Sequence, residues 1–141
     1  MTLRIAARLL EQMRRAGEAA YPAECCGAIV GQADGVKRAR DLIALANQRT
    51  DDPHRYLIDA EQTRVIERDA KEAGWEVLGF YHSHPDHPAV PSAFDTAHAW
   101  PWYSYVIVRV TQGQALDAAS WVLHPEEPRM EPELLDVERE A

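Results

Sequence analysis

Two histidines at the end of a predicted buried strand constrain this chain more than any other feature of its sequence. Residues 74–81 are rich in aromatic and aliphatic side chains, which predicts a buried strand. The strand continues into His82 and His84, and side chains two positions apart on a strand share one face. We therefore expect both imidazoles to point to one side, with Leu78 behind them, and Ser83 to point to the other. Two imidazoles on one face can bind a single metal ion.

A proline-rich loop and a short predicted helix follow the two histidines. The loop, residues 85–91, contains three prolines, which fix φ and remove backbone donors, so we expect a stiff turn that reverses the chain. Ser92 then begins a predicted helix whose first turn brings the carboxylate of Asp95 close to the end of the strand. Two imidazoles, a carboxylate and one open position are typical of catalytic zinc, whose bound water has a pKa of about 7. The sequence thus predicts a Zn2+ site formed by His82, His84 and Asp95.

Each part of this pattern also has a simpler explanation. Six histidines in 141 residues give an H-x-H pair by chance in about a quarter of such chains. Ser92-x-x-Asp95 is a variant of the capping box, in which two side chains satisfy the first backbone N–H groups of a helix. A carboxylate oxygen bound to zinc is not expected to cap the helix as well, whereas Ser92 can serve both purposes through different atoms. The combination of the two motifs favours the metal site.

Together with an upstream glutamate, these residues resemble the motif of the JAMM (MPN+) zinc metalloproteases. All five positions of that motif are filled, by Glu24, His82, His84, Ser92 and Asp95. A proline follows the second histidine, as in the family. The resemblance covers roughly residues 5–123, and the run Tyr-Pro-Ala-Glu-Cys-Cys-Gly at 21–27 is similar to the short prokaryotic members, which resemble peptidases of sulfur-carrier proteins.

The resemblance implies an activity and a role for each residue of the motif. His82, His84 and Asp95 would bind zinc, Glu24 would act as the general base, and Ser92 would stabilise the oxyanion. The fold implied is α/β, a mixed β-sheet flanked by helices in an MPN sandwich similar to that of cytidine deaminases.

The substrate implied is a peptide or isopeptide bond after the C-terminal Gly-Gly tail of a ubiquitin-like or sulfur-carrier protein. Removal of a C-terminal cysteine or another adduct is one example. Because glycine offers little besides its backbone, main-chain pairing with a sheet edge would suit such a tail.

Three other functions remain as alternatives. Some MPN proteins have lost metal ligands and serve as binding scaffolds, but here all five positions are filled. Hydrolysis of a small amide would use the same site with a different groove. A zinc deaminase would need H-x-E and P-C-x-x-C, whereas this chain has His82-Ser83-His84 and only the adjacent pair Cys25-Cys26, which argues against that class.

Hydrophobic periodicity predicts the remaining elements. We expect helices at 5–20, at 60–73 and from Ser92, and strands near 25–31, 36–45, 56–58, 105–110 and 115–123. Gly74 is expected to end the second of these helices as its C-cap. The mixture of strands and helices predicts a mixed sheet flanked by helices.

Length and charge indicate one domain with an acidic end. A chain of 141 residues is long enough for a single core, and we assign residues 1–124 to the metalloprotease domain and 125–141 to an acidic tail. The tail has seven acidic residues and two arginines, so it carries −5 of the net charge of −8, a balance that argues against general nucleic-acid binding. We expect the tail to be solvated and partly disordered, with a short docked helix as the alternative.

The sequence also indicates a location. No apolar run approaches the roughly 18 residues of a membrane span, and the N-terminus lacks the apolar region of a signal peptide, so we expect a cytoplasmic protein that binds no membrane. Cys25 and Cys26 form no disulfide framework and are expected in the core, with a substrate contact as the alternative. Surface positions are expected for His87 and His98, although His87 could contact substrate and His98 could support Asp95. The sequence predicts neither the oligomeric state nor the identity of the carrier.

Overall fold

The computed structural model describes residues 2–46, 58 and 60–139. These form, in chain order, β1 (Thr2–Ala6), α1 (Ala7–Ala20), β2 (Cys26–Ala33), β3 (Lys37–Leu45), α2 (Ala60–Glu72), β4 (Glu76–Pro85), α3 (Ala93–Ala97), β5 (Ser104–Thr111), β6 (Gln114–Leu123) and β7 (Met130–Glu138). Of the strand predicted at 56–58, positions 56 and 57 lie outside the described residues, and Ile58 is not in a strand.

The first helix begins later than predicted, because β1 precedes it. In β1, Leu3 and Ile5 are buried and alternate with half-buried neighbours, which is the period of a strand. Leu9 and Met13 follow at helical spacing and are buried in α1. The prediction of a helix from residue 5 is therefore wrong for its first two residues. The predicted end of the second helix is confirmed, since Gly74 has a φ of +80°, a conformation that glycine adopts without strain.

The seven strands form a mixed sheet that closes into a barrel in the order β1-β3-β2-β4-β5-β6-β7. The pairs β4–β5, β1–β3 and β1–β7 are parallel, and the other pairs are antiparallel. The predicted mixed sheet is confirmed. Its closure through the pairing of β1 with β7 is an addition that the sequence did not predict. The histidine strand, β4, lies between β2 and β5.

A helix covers each face of the sheet around β4. On one face Leu9 and Met13 of α1 are fully buried against strand residues such as Val108. On the other face Ile66 and Ala70 of α2 pack on β2 and β4. Full burial of a leucine, isoleucine or methionine contributes about 1.5–3 kcal/mol, so the apolar face of each helix, with Leu9 and Met13 in α1 and Ile66 in α2, stabilises its packing on the sheet. No helix within the described ranges is long and apolar enough to span a membrane.

Gly17 allows α1 to lie directly behind the two histidines. A Cβ at this position would lie 2.9 Å from Cγ2 of Val110 and 3.2 Å from Cβ of Ser83, so a larger residue would push the helix away. The side chain of Ser83 therefore faces α1. This confirms that Ser83 points away from the side on which the imidazoles lie.

A β-bulge interrupts β4 at Leu78. Val77 and Gly79 pair with consecutive residues of β2, so the register passes over Leu78. Leu78 accordingly packs with α1, whereas Phe80 packs on the opposite face. The expectation that Leu78 lies behind the imidazoles is wrong, because one extra residue reverses the alternation of side chains.

Much of the acidic C-terminal region is part of the barrel. Met130–Glu138 form β7, which pairs with β6 and with β1. Leu135 packs against the core, and Glu133 is buried. The expectation of a solvated, partly disordered tail and the alternative of a short helix are both wrong for this strand. The physical reason is that Glu133 forms an ion pair with the buried Lys37. The many acidic residues near Glu133 in the sequence give no sign of this distant partner.

Candidate metal centre

Three side chains that can bind a metal converge at the end of β4. The Nε2 atoms of His82 and His84 are 3.1 Å apart. Oδ2 of Asp95 lies 3.0 Å from Nε2 of His84, and its Oδ1 lies 3.2 Å from Nε2 of His82. All three residues are buried. A tetrahedral zinc ion with bonds of about 2.0–2.1 Å has its ligands about 3.3 Å apart, so the spacing of these three atoms fits that ion.

The backbone of the proline loop determines which nitrogen of His84 is available. Nδ1 of His84 lies 2.8 Å from the carbonyl oxygen of Pro88. A carbonyl can only accept, so Nδ1 carries the proton and donates it. In the neutral ring Nε2 then presents a lone pair toward His82 and the Asp95 carboxylate. Lone pairs turned toward each other at about 3 Å favour a cation between them, which is the arrangement of metal sites whose second histidine nitrogen is hydrogen-bonded.

Asp95 also caps the helix that carries it. Its backbone N–H donates to Oγ of Ser92 at 3.0 Å, and its Oδ2 accepts the N–H of Ser92 at 2.9 Å. The capping box is therefore confirmed. Oδ2 both accepts this N–H and lies 3.0 Å from Nε2 of His84. That an oxygen bound to zinc would not also cap the helix stays a prediction. This cap fixes the carboxylate before any metal binds.

Burial and hydrogen bonding act in opposite directions on the charge of the site. Burial raises the pKa of Asp95, but the neighbouring imidazoles of His82 and His84 and the N–H donated by Ser92 bring that pKa well below its usual range. Burial lowers the pKa of His82, although the nearby carboxylate of Asp95 acts to raise it. An ionised carboxylate beside a neutral imidazole is the protonation state that metal binding needs.

Glu24 lies two residues before β2, the strand that pairs with the histidine strand β4. Cys26 pairs with His82, and Ser83 donates its N–H to the carbonyl of Cys25 at 3.2 Å. Continued by one residue, this antiparallel register sets Glu24 opposite His84, and opposite residues share a face of the sheet. Glu24 is buried, with 9% of its surface exposed. The acidic group expected from the sequence therefore lies on the side of the metal centre.

Ser92 lies at the entrance of the site. It is exposed, and its hydroxyl oxygen accepts the N–H of Asp95. Accepting that bond leaves the hydroxyl hydrogen for donation to another acceptor. Four residues of the sequence motif, His82, His84, Ser92 and Asp95, thus lie together at the end of β4. The register of β2 directs the fifth, Glu24, toward the same face.

An open groove of about 820 Å³ leads away from Asp95. Its floor and walls come from α2, α3, β4 and the segment before β5. Most of the lining is apolar or aromatic, and the aromatic members are Phe80, Phe94, Trp100, Tyr103 and Tyr105. A groove of this kind can hold an extended chain beside the metal centre.

The aromatic wall of this groove was not predicted from the sequence. Trp100, Trp102, Tyr103 and Tyr105 stand within six residues, which is a local signal that could have found it. Two of these rings are well exposed, Trp100 at 67% and Trp102 at 39%. Exposed aromatic rings beside a groove are typical of binding surfaces.

His87, His98 and the two cysteines lie where the sequence predicted them. His98 is exposed on the groove, where its ring stacks on Phe94 at 4.1 Å between centroids. His87 is exposed in the proline loop. Cys26 is buried and Cys25 is half-buried, and both thiols are free. These positions agree with surface histidines and core cysteines.

The family model for prokaryotic homologues of the JAB domain matches residues 6–124, far more than half of this sequence. The chain belongs to this family. All five residues of the predicted motif lie within the matched range. The resemblance inferred from that motif is thereby confirmed. β7 lies beyond the range that this prokaryotic JAB family model covers.

Relatives with known names or structures agree with the JAB assignment. A curated relative from Haloferax volcanii, named Desampylase, is 37% identical over 103 residues, which are 70% of this chain and 71% of that protein. A protein of Salinibacter ruber has a solution structure with a TM-score of 0.74 and 35% identity, covering 96% of this chain and 91% of that one. A protein of Desulfitobacterium hafniense has a solution structure with a TM-score of 0.84 and 26% identity, covering 98% and 94%.

A third structure shows the fold alone. The crystal structure of a JAB1/MPN domain protein from Archaeoglobus fulgidus has a TM-score of 0.63 over 97% of this chain and 98% of that one, with 20% identity. The α/β fold with a mixed sheet and flanking helices is therefore shared with JAB1/MPN domains.

Proposed function

We propose that this chain is a zinc-dependent metallopeptidase that cleaves the peptide or isopeptide bond after the C-terminal Gly-Gly of a ubiquitin-like or sulfur-carrier protein. Removal of a C-terminal cysteine or another adduct is one such reaction. The observation that carries the proposal is the convergence of His82, His84 and Asp95, the last of which also lines an aromatic groove. The relative named Desampylase supports the substrate class, since that name denotes removal of a ubiquitin-like tag.

The side chains of the centre divide the reaction among them. His82, His84 and Asp95 would hold Zn2+, which supplies an acidified water and a polarised carbonyl. Glu24 accepts a proton from the attacking water and passes it to the leaving amine. Ser92 donates its hydroxyl hydrogen to the oxygen on which negative charge develops. The capping box keeps Asp95 and Ser92 in fixed relative positions throughout.

The groove accounts for the proposed preference for a thin, extended tail. Aromatic rings such as Tyr103 and Trp100 border it, and it reaches Asp95 directly. A di-glycine segment has no side chains to collide with these rings, so its backbone can pass along them. The described strands close into a barrel. We therefore propose that the tail lies in the groove. This differs from the pairing with a sheet edge that the sequence analysis favours.

The experiment that tests this function is intact-mass analysis of a sulfur-carrier protein extended beyond its C-terminal Gly-Gly. The carrier is incubated with the zinc-loaded wild type, with Glu24→Gln and with Glu76→Gln. Glu76 is exposed at the far end of β4 and provides the matched control for loss of a carboxylate. We expect cleavage after Gly-Gly by the wild type and by Glu76→Gln, and none by Glu24→Gln.

Two other results would change the conclusion. Cleavage by Glu24→Gln at the wild-type rate would remove Glu24 from the reaction. Bound zinc without cleavage of any carrier would favour a small-amide hydrolase or a binding scaffold.

We also propose that the enzyme acts in the cytoplasm. Its two cysteines are adjacent and form no disulfide framework, and both thiols are free. Free thiols are usual where glutathione and thioredoxin keep cysteines reduced. Fractionation of cells followed by immunodetection would test this location.

A further inference from the structure

A second buried polar cluster lies on the barrel, separate from the metal centre. Nζ of Lys37 on β3 lies 3.3 Å from Oε2 of Glu133 on β7, and the side chains of both residues are fully buried. Lys37 also donates to Oγ of Ser104 at 2.9 Å. Ser104 and Ser120 each donate to Oε1 of Glu133, at 2.6 and 2.8 Å. The cluster joins β3, β5, β6 and β7, and its two charges compensate each other.

Lys37 connects this cluster to the segment before β5. Its Nζ donates to the backbone carbonyl of Trp102 and lies 4.7 Å from the centroid of the Trp102 ring. Trp102 has a φ of +77°, a conformation that bulky residues adopt rarely and only when their surroundings hold them in it. A charged donor to the carbonyl and a cation over the ring are two such restraints.

The residues on either side of Trp102 form the wall of the groove. Trp100 and Tyr103 both line it. The N–H of Trp100 donates to the hydroxyl of Tyr105 at 2.7 Å, and the ring of Tyr103 packs edge-on against Phe80 at 5.4 Å between centroids. The direction in which Trp102 turns the chain therefore sets where both rings stand.

We propose that Lys37 is a positioning residue for substrate binding: held by Glu133, it fixes the reversed backbone at Trp102 and so places the Trp100–Tyr103 wall of the groove. This inference rests on the proposed function for its kinetic consequence. It assigns a role in the reaction to a residue that touches neither the metal ligands nor, on this structure, the groove.

A charge-free substitution separates positioning from simple stabilisation. A buried ion pair can often be replaced by apolar groups of similar volume without loss of stability. The double variant Lys37→Met/Glu133→Gln fills the same space. The amide oxygen that it introduces at position 133 can still accept from Ser104 and Ser120. What this variant cannot supply is the charged donor to the Trp102 carbonyl. The single variant Lys37→Met serves for comparison where it folds.

The first readout requires no activity. The chain has four tryptophans, at 75, 100, 102 and 121, so a proton–nitrogen correlation spectrum gives four indole signals. In the double variant we expect the indole signal of Trp100 to shift or broaden while those of Trp75 and Trp121 remain. The signal of Trp102 will change in any case, because its ring lies over Lys37. An unchanged Trp100 signal would overturn the proposal.

The second readout separates KM from kcat with the extended carrier protein as substrate. In the double variant we expect KM to rise about tenfold and kcat to stay within about twofold, since the interaction lost is one of binding. Zinc content should match the wild type. Met13→Ala is the control, because Met13 is fully buried in α1, which packs on the face of the sheet opposite the groove residues Phe80 and Tyr105. It should lower thermal stability and leave KM unchanged.

The two readouts distinguish the possible failures. A rise in KM that Met13→Ala reproduces, or a loss of kcat and zinc together, would overturn the positioning role. If the wild type cleaves no carrier, the proposed function fails, and the Trp100 signal still decides whether Lys37 places the wall.

Discussion

The metal centre and the Lys37 cluster are both buried and polar, yet they differ in how their charges and lone pairs balance. In the Lys37 cluster one cation meets one anion, and two hydroxyls donate to that anion. In the metal centre two ring nitrogens and a carboxylate face one another within about 3.2 Å. An excess of acceptors calls for a cation from outside, whereas a balanced cluster is complete. The difference indicates which of the two binds a ligand and which supports the fold.

The largest effect should follow from Asp95→Asn. This change keeps the volume and the cap from Ser92 but removes the negative charge, and an amide nitrogen turned toward the histidines cannot bind zinc. We expect activity to fall about 10⁴-fold or more, because the acidified water is lost with the metal. Metal content by mass spectrometry and cleavage of the extended carrier are the measurements. Folding should persist, and an active, zinc-loaded variant would show that Asp95 is not a ligand.

The Lys37 cluster should respond in the opposite way, through stability. Glu133→Ala leaves the buried ammonium of Lys37 without its carboxylate, which costs about 3–5 kcal/mol of unfolding free energy for a pair of this kind. Chemical denaturation measures the change. The double variant Lys37→Met/Glu133→Gln should recover most of it. If Glu133→Ala were as stable as the wild type, the cluster would not be a balanced structural unit.

The two clusters also differ in how far the sequence predicts them. The three candidate ligands of the metal centre come from 14 consecutive residues, where strand alternation and the capping box act locally. Lys37 and Glu133 are 96 positions apart, and their contact exists only because β1 and β7 close the barrel. Charged residues are usually exposed, so local composition predicted a solvated end where β7 forms. No local pattern reveals that one acid of that strand turns inward.

The bulge at Leu78 is a smaller example of the same limit. Alternation predicts faces correctly from Phe80 onward, because the pairing with β2 is regular there. One extra residue placed Leu78 on the face of α1, and a bulge depends on the partner strand.

The groove wall depends both on local sequence and on a contact between residues far apart in the chain. Its aromatic residues are close in sequence, but the left-handed turn at Trp102 depends on a lysine from β3.

Trp121→Phe should have an intermediate effect, on metal affinity. Nε1 of Trp121 on β6 donates to the carbonyl of Ala89 at 3.0 Å, and the neighbouring carbonyl of Pro88 accepts from His84. Phenylalanine keeps most of the packing and removes that donor. We expect zinc affinity to fall about tenfold, which is the lower end of the range of losses seen when a residue that orients metal ligands is changed. Competition with a chromophoric chelator measures it. Trp75→Phe, just before the far end of β4 from the histidines, is the control and should bind zinc like the wild type.

The smallest expected effect concerns the thiols beside the metal centre, and it tests whether the ligand set is complete without them. A cysteine that filled the fourth position would make the centre more like a structural zinc site. A thiol that binds zinc is deprotonated, so its pKa bears on this possibility. Burial raises the pKa of Cys26 to about 12 and also raises that of Cys25. Cys26 is nearly inaccessible as well, with 2% of its surface exposed.

Raising the pKa of Cys26 from 9.0 to about 12 lowers its thiolate fraction near neutral pH about a thousandfold. We therefore expect Cys26 to resist alkylation by iodoacetamide at about pH 8, both with zinc and after its removal, and to react quickly once the chain is unfolded. Peptide mass mapping would locate the label. If removal of zinc made Cys26 reactive in the folded protein, the thiol would be responding to the metal. The centre would then contain a fourth protein ligand, with no open position for a substrate.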